Sequence, residues 1–434
     1  MQWIVWGLLL LGIVVRWKSA PAWPGLVTGS LLALLGTFGG TLWTWSALNN
    51  GSGLPRGVIG DPGATEAFFW AAIGSILAAI MLPKRLRGSG GVPGVATSNW
   101  PLYQRYSLAA SFTGYVVWLL GQGPSFFSRM IYARTDGIDF FIRLTGFIGP
   151  VLGLTALVIG IAGTATKRDR LLQVALGTMW FVSGAVVGTR MAVAFPLAVL
   201  LVFAVTCWRR RSLSSVLIAI FGLYVSTYAA LAAFTLSLTV RGQSHGLLAL
   251  GALLRDDRIP RFIDPTQWVV AIQLLVSSVT ASVPITELSV ARAPSARLLL
   301  LNANPLPSQF LNLDTFDQER LWPFAWIPLS MVGEWYGATG ALGQVALFFL
   351  ISLIAAVGVA IGMTSRNPLV VAVVLGMSSI VLVMSIQYPS RSFWRGVSLL
   401  ILATLVAYFW NKFSATSRGG LAHPDHQPRN ETTR

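Results

Sequence analysis

The residues of this chain best suited to chemistry are arginines and a few carboxylates in short polar strings between long apolar runs. Arg190 ends the string Gly188-Thr189-Arg190, a tight turn that pins its guanidinium close to a membrane boundary. It either snorkels to lipid headgroups or faces a cavity as a fixed cation. Residues 121–143 carry Arg129, Tyr132, Arg134, Asp136, Asp139 and Arg143. This stretch reads as a self-neutralising loop, or as an anion site in which Arg129 and Arg134 bind and the aspartates orient them. A third string, Arg241-Gly242-Gln243-Ser244-His245, is followed by Arg255, Asp256, Asp257 and Arg258. His245 is the one histidine outside the tail, and an unperturbed imidazole changes charge near neutral pH. It is either structural or a proton acceptor.

The fourth cluster is Asn302-Ala303-Asn304-Pro305-Leu306-Pro307-Ser308, followed later by Gly333-Glu334-Trp335-Tyr336-Gly337. Glu334 sits where an apolar helix begins. A carboxylate held against apolar surface suits proton transfer, and an acid in a first helical turn also complements the helix dipole. Arg391 and Arg395, in Tyr388-Pro389-Ser390-Arg391-Ser392-Phe393-Trp394-Arg395, precede the last apolar run. The first candidate outer loop, residues 49–66, is short and holds only Asp61 and Glu66 as acids.

Planar guanidinium groups bind phosphate through paired hydrogen bonds. The pattern therefore suits a lipid phosphate or pyrophosphate at a membrane surface, with arginine neutralising charge on a pyrophosphate leaving group and needing no metal. The candidate pyrophosphate-binding set is Arg129, Arg134, Arg190, Arg241, Arg391 and Tyr336, with Arg190, Glu334 and His245 as catalytic candidates. His245, His423 and His426 form no convincing metal-ligand cluster, and neither CxxC nor HExxH occurs. No metal and no cofactor are expected. Cys207 is the sole cysteine and cannot form an internal disulfide.

The elements that must position these groups are membrane helices. Of 434 residues, 54% are hydrophobic and 11% charged, and mean hydropathy is +0.68. Soluble domains carry roughly 25% charged residues, so water-soluble enzymes, nucleic-acid-binding domains and disordered proteins are excluded. A span needs roughly 17–25 apolar residues. Eleven runs answer to that, near residues 2–15, 25–48, 67–83, 107–121, 144–163, 171–188, 191–207, 213–239, 338–363, 368–387 and 396–411. The first run lacks a basic start and precedes Arg16 and Lys18, which reads as a span in place of a cleavable leader.

Alternate connections hold seventeen basic residues against Asp169, Asp425 and Glu431, a net charge of +14. By the positive-inside rule that face is cytoplasmic, the N-terminus outside and the C-terminus inside. The formal charge of +16 is thus mostly a topology signal. All four lysines fall on the inner face, whereas the basic residues of the outer face are all arginine.

The expected architecture is an all-α polytopic membrane protein. Residues 1–239 carry eight spans, 240–337 a long extracytoplasmic loop, 338–411 three more spans, and 412–434 a disordered cytoplasmic tail. Residues 267–283 are apolar enough for an interfacial helix or a further span, and the latter would invert every downstream loop. Residues 321–335 read as a re-entrant or interfacial segment leading into the ninth span.

This layout resembles the bacterial O-antigen polymerase family, within the O-antigen polymerase and ligase superfamily. Gly188-Thr189-Arg190-Met191 is similar to that family's Gly-Ser/Thr-Arg turn. Asn304-Pro305-Leu306-Pro307-Ser308, with Pro328-Leu329-Ser330-Met331-Val332-Gly333-Glu334-Trp335-Tyr336, is similar to its loop end. The resemblance implies a glycosyltransferase C-like fold in the inner membrane. It also implies metal-independent transfer of a glycan from a polyprenyl-pyrophosphate carrier onto a lipid-linked repeat unit. Lipid-linked oligosaccharides, membrane lipids and a chain-length regulator are the implied partners, and nucleic acid is not. Arg190 and Glu334 are the residues the motifs carry over. The ligase branch carries a histidine-containing loop string that His245 matches only loosely, so a ligase or another lipid-linked-sugar transferase stands second. A flippase or transporter is the alternative of a different class, and it demands mid-helix charges and broken helices in paired halves. Arg190→Ala, at an exposed turn, is expected to abolish polymer while leaving membrane insertion intact; chains of unaltered length from that variant would remove Arg190 from the site.

Overall fold

The computed structural model describes residues 1–16, 19–50, 62–83, 100–122, 152–153, 156, 166–186, 269, 272–273, 276–277, 279–292, 295, 299, 303, 330–364, 374, 377–378, 381, 384–386 and 390–419. Among the described residues the fold is almost entirely helical and contains no strand. The principal helices are α1 (Gln2–Arg16), α2 (Trp23–Asn50), α3 (Pro62–Ile80), α4 (Trp100–Gln122), α5 (Lys167–Val186), α6 (Ser282–Ala291), α7 (Met331–Thr364) and α8 (Ser390–Gly419). A short 3₁₀ turn, Ala20–Ala22, leads into α2.

Among the described residues, three stretches are long and apolar enough to cross a membrane: Trp23–Trp45, Gly63–Ile80 and Met331–Ile361. Shorter apolar helices cover Gln2–Arg16, Leu108–Leu120, Leu171–Trp180 and Phe393–Val406. Together these fall on seven of the expected spans. The expected spans at 191–207 and 213–239 lie outside the described residues. Large apolar side chains face outward on several helices, with Trp3 84%, Leu342 85% and Leu120 75% exposed. Exposed apolar surface on this scale needs an apolar surrounding, which a lipid bilayer supplies.

The core lies where α3 crosses α7, with α1, α2, α6 and α8 packed around the pair. α3 can occupy that centre because of its composition. Pro62 opens it, at a position where a missing N–H costs nothing. Ala64, Ala67, Ala71 and Ala72 are then fully buried small residues, which let backbones approach closely. At Gly74 a Cβ would collide with the Val345 carbonyl oxygen and stand 3.1 Å from the Phe349 nitrogen. Phe68 from α3, Phe348 from α7 and Phe393 from α8 fill the space around this crossing, each fully buried.

The C-terminal ends of α1 and α3 are tied together by one arginine. Arg16, in the last turn of α1, donates Nε–H and Nη2–H to the Ile80 carbonyl at the end of α3, at 3.1 and 2.5 Å. A cation at a helix C-terminus meets an unpaired carbonyl and the negative end of the dipole. These are two ends that the charge count puts on one membrane face.

α7 is not one rod. Gly340 has φ 67° and ψ −166°, a conformation open essentially to glycine alone. Gln344 shows how far the chain turns there. Its Nε2 donates to the Val332 carbonyl at 3.2 Å and, at 3.4 Å, to the Ala67 carbonyl of α3. In a straight helix twelve residues separate two positions by about 18 Å, which a glutamine cannot reach. The arm 331–339 therefore folds back at Gly340. The part after the break, to Ile361, is about 31 Å long, close to the hydrocarbon thickness of roughly 30 Å. Of the re-entrant or interfacial segment expected at 321–335, residues 321–329 lie outside the described residues, and 331–335 belong to the folded-back arm.

Overpacking at a close helix crossing costs about 1–3 kcal/mol. Gly74→Ala is therefore expected to lower the unfolding temperature of the purified protein in detergent. Gly40→Ala in α2, where a Cβ meets nothing within 4 Å, is expected to be neutral or stabilising by up to about 1 kcal/mol. Equal melting of the two variants would remove Gly74 from the centre of the fold.

Candidate functional site

The first turns of α3, α7 and α8 meet at one end of the bundle, and polar side chains join them. α7 is seated on α6 below this point. Thr286 of α6 donates Oγ1–H to Ser330 Oγ, 2.9 Å away, and the Ser330 N–H donates to Ser289 Oγ at 2.8 Å. These buried bonds fix the residue just before α7, and with it the direction in which Glu334 leaves the helix.

Glu334 is completely buried. Its Oε2 accepts two hydrogen bonds from a residue 56 positions away: the Ser390 backbone N–H at 2.8 Å and the Ser390 hydroxyl at 2.6 Å. Ser390 is the first residue of α8 and is itself fully buried. The carboxylate therefore faces the positive end of a thirty-residue helix. Its other oxygen, Oε1, is buried and has no hydrogen-bond partner among the described residues. At the same junction Trp335 and Trp394 pack with ring centroids 6.1 Å apart, and both indole N–H groups are buried without partners among the described residues. Phe393 meets Trp394 edge-on at 5.7 Å. Three unsatisfied polar atoms thus lie at the α7–α8 junction.

Tyr336, two residues on from Glu334, points roughly 200° away around the helix. It donates its hydroxyl to Glu66 Oε2 of α3 at 2.6 Å. Glu66 is exposed and Tyr336 half-buried. The arm 331–339 is thereby fastened on two sides, to α8 through Glu334 and to α3 through Tyr336.

Of the residues singled out in the sequence, the structure unites the Glu334 string with the string that begins at Ser390. Arg391 is the second residue of α8. Arg129, Arg134, Arg190, Arg241 and His245 lie outside the described residues. Sequence reasoning assigned no role to Ser390, Glu66 or Gln344. A serine just after proline and before an apolar run is a helix-start signal, so Ser390 was findable as a cap though not as Glu334's partner. Glu66 was noted only as one of too few acids, because nothing local links it to Tyr336 270 positions away.

Comparison of the chain with protein-family models, with curated proteins and with solved structures found no match.

At Gly340 it is backbone conformation and not lack of space that disfavours a side chain, since φ is positive and a Cβ there meets nothing within 4 Å. Gly340→Ala is therefore expected to cost about 1–3 kcal/mol and to speed amide hydrogen exchange across 331–339. Exchange equal to that of the unsubstituted protein would show that the bend is held elsewhere.

Proposed function

We propose that this protein is a multi-pass glycosyltransferase of the cytoplasmic membrane, polymerising lipid-linked oligosaccharide repeat units at its outer face. The observation that carries this reading is the meeting of Glu334 with the start of α8. It joins a buried carboxylate to the segment that opens Ser390-Arg391, at the ends of helices bordering apolar, lipid-compatible surface. In this reading about eleven spans surround the site, glycosyltransferase C-like in layout, with the long loop 240–337 above it. The N-terminus is outside and the C-terminus cytoplasmic.

In the reaction, a hydroxyl of the acceptor repeat unit loses its proton to a base, Glu334 or His245. The hydroxyl oxygen then bonds to the anomeric carbon of the donor glycan. The bond from that carbon to the pyrophosphate oxygen breaks, and polyprenyl pyrophosphate leaves with the electron pair. Arg129, Arg134, Arg190, Arg241 and Arg391 stabilise the charge of the leaving group, and Tyr336 is the remaining candidate for binding it. No metal or cofactor enters this scheme. A ligase acting on another acceptor would use the same chemistry. The break at Gly340 favours one reading of a different class, a flippase, whose folds use interrupted helices.

The test is an assay of purified protein with synthetic polyprenyl-pyrophosphate-linked repeat units, chelator present, read as a glycan ladder. A ladder is expected from the unsubstituted protein and is expected to be lost in Glu334→Gln. Unchanged turnover of Glu334→Gln across pH would leave Glu334 a packing and capping group. Movement of the lipid-linked substrate between leaflets without a ladder would select the flippase.

A further inference from the structure

Glu334 occupies a place that the start of α8 suits to another anion. The first N–H groups of a helix lack intrahelical partners and carry the positive end of the dipole, an arrangement that accepts phosphate groups well. At the start of α8 the Ser390 N–H and hydroxyl converge on a single oxygen, Glu334 Oε2. Arg391 is the next residue. The second observation is on the carboxylate itself. Glu334 is wholly buried, yet among the described residues its Oε1 has no hydrogen-bond partner. It is held through one oxygen in a place closed to water, a poor resting arrangement for an acid. A better hydrogen-bonding anion can take its donors.

We propose that Ser390 and the start of α8 form a subsite for a phosphate-type anion, the pyrophosphate of a lipid-linked donor, and that Glu334 fills this subsite in the unliganded protein. The naming of the anion rests on the glycosyltransferase reading. Two anions cannot share the Ser390 donors, so ligand binding expels the Glu334 side chain. The arm that carries it ends at Gly340, whose backbone conformation marks the pivot. Released from Ser390, the carboxylate is free to accept the proton of an acceptor hydroxyl. Donor binding thereby uncovers the base, and the base stays sequestered while no donor is present.

The two halves of the proposal predict opposite effects of two substitutions. The protein, in nanodiscs of phosphatidylcholine, is titrated calorimetrically with inorganic pyrophosphate. Glu334→Gln removes the competing charge and is expected to tighten binding about tenfold or more; Ser390→Ala removes a donor and is expected to weaken it by a similar factor. A folded Glu334→Gln protein, by its thermal transition, that binds pyrophosphate no more tightly than the unsubstituted protein would overturn the proposal. If Glu334→Gln does not fold, Ser390→Ala decides alone, and unchanged affinity overturns it.

Repeating the titration in phosphatidylglycerol nanodiscs separates the sources of the anion. Pyrophosphate binding that persists there supports the donor. Binding abolished by that lipid through Ser390 would make the ligand a phospholipid headgroup and overturn the donor assignment. The glycan ladder keeps the two readings apart. A ladder without tightening in Glu334→Gln sinks the subsite and leaves the transferase, whereas tightening without any ladder leaves the subsite and sinks the transferase.

Discussion

The closeness of α3 to α7 is the constraint on which the rest of this structure depends. In a bilayer the lipid tails are as apolar as leucine, so helices gain little by hiding apolar side chains from them. Association has to come from close contact. α3 achieves it with a face of alanines and with Gly74, where the Val345 carbonyl and Phe349 nitrogen leave no room for a Cβ. Replacing that face with larger residues would move α7 outward and carry its polar groups away from their partners on α3. Gln344 could no longer reach the Ala67 carbonyl, and Tyr336 would be drawn away from Glu66.

Given that contact, the break at Gly340 follows as a second necessity. A continuous α7 would run on past the membrane boundary with the carbonyl of Val332 far from Gln344. The positive φ at Gly340 folds the arm back, and Gln344 then covers backbone that the fold brings beside it. The arm is held by side chains reaching three ways: Ser330 toward α6, Glu334 toward α8 and Tyr336 toward α3. Ser330 and Glu334 each take part in two such hydrogen bonds and Tyr336 in one, all at the edge of an apolar core. Such an element is fastened by a small number of bonds and is more readily moved than the α3–α7 crossing beneath it.

Much of this was legible in the sequence, and what was not has identifiable physical causes. Apolar run length gave the membrane helices, because a bilayer allows few other solutions. The Gly-Glu-Trp-Tyr string was recognisable as a candidate for chemistry, since an acid followed by two aromatics at the start of an apolar helix is costly unless held. The break was not legible. α7 contains six glycines, at 333, 337, 340, 343, 358 and 362, and only the backbone angles distinguish Gly340 from the others. The Glu334–Ser390 and Tyr336–Glu66 pairs were hidden for a different reason. Both depend on which helix ends coincide, and helix periodicity carries no information about that. Ser390 looked like an ordinary helix cap and Glu66 like an isolated surface acid.

The chemistry of the junction turns on an asymmetry within one carboxylate. Glu334 Oε2 is doubly bonded into place by Ser390, while Oε1, a fraction of the side chain away, has no partner among the described residues. A group serving only to cap α8 would gain most from having both oxygens satisfied. Among the described residues, the indole N–H groups of Trp335 and Trp394 at the same junction are also buried and unpaired. A junction with unused capacity on both sides is suited to a guest that both donates and accepts hydrogen bonds, which an acceptor hydroxyl does. Held this way, the same carboxylate can keep one helix end in place until a stronger anion claims it, and afterwards meet the hydroxyl whose proton must be removed.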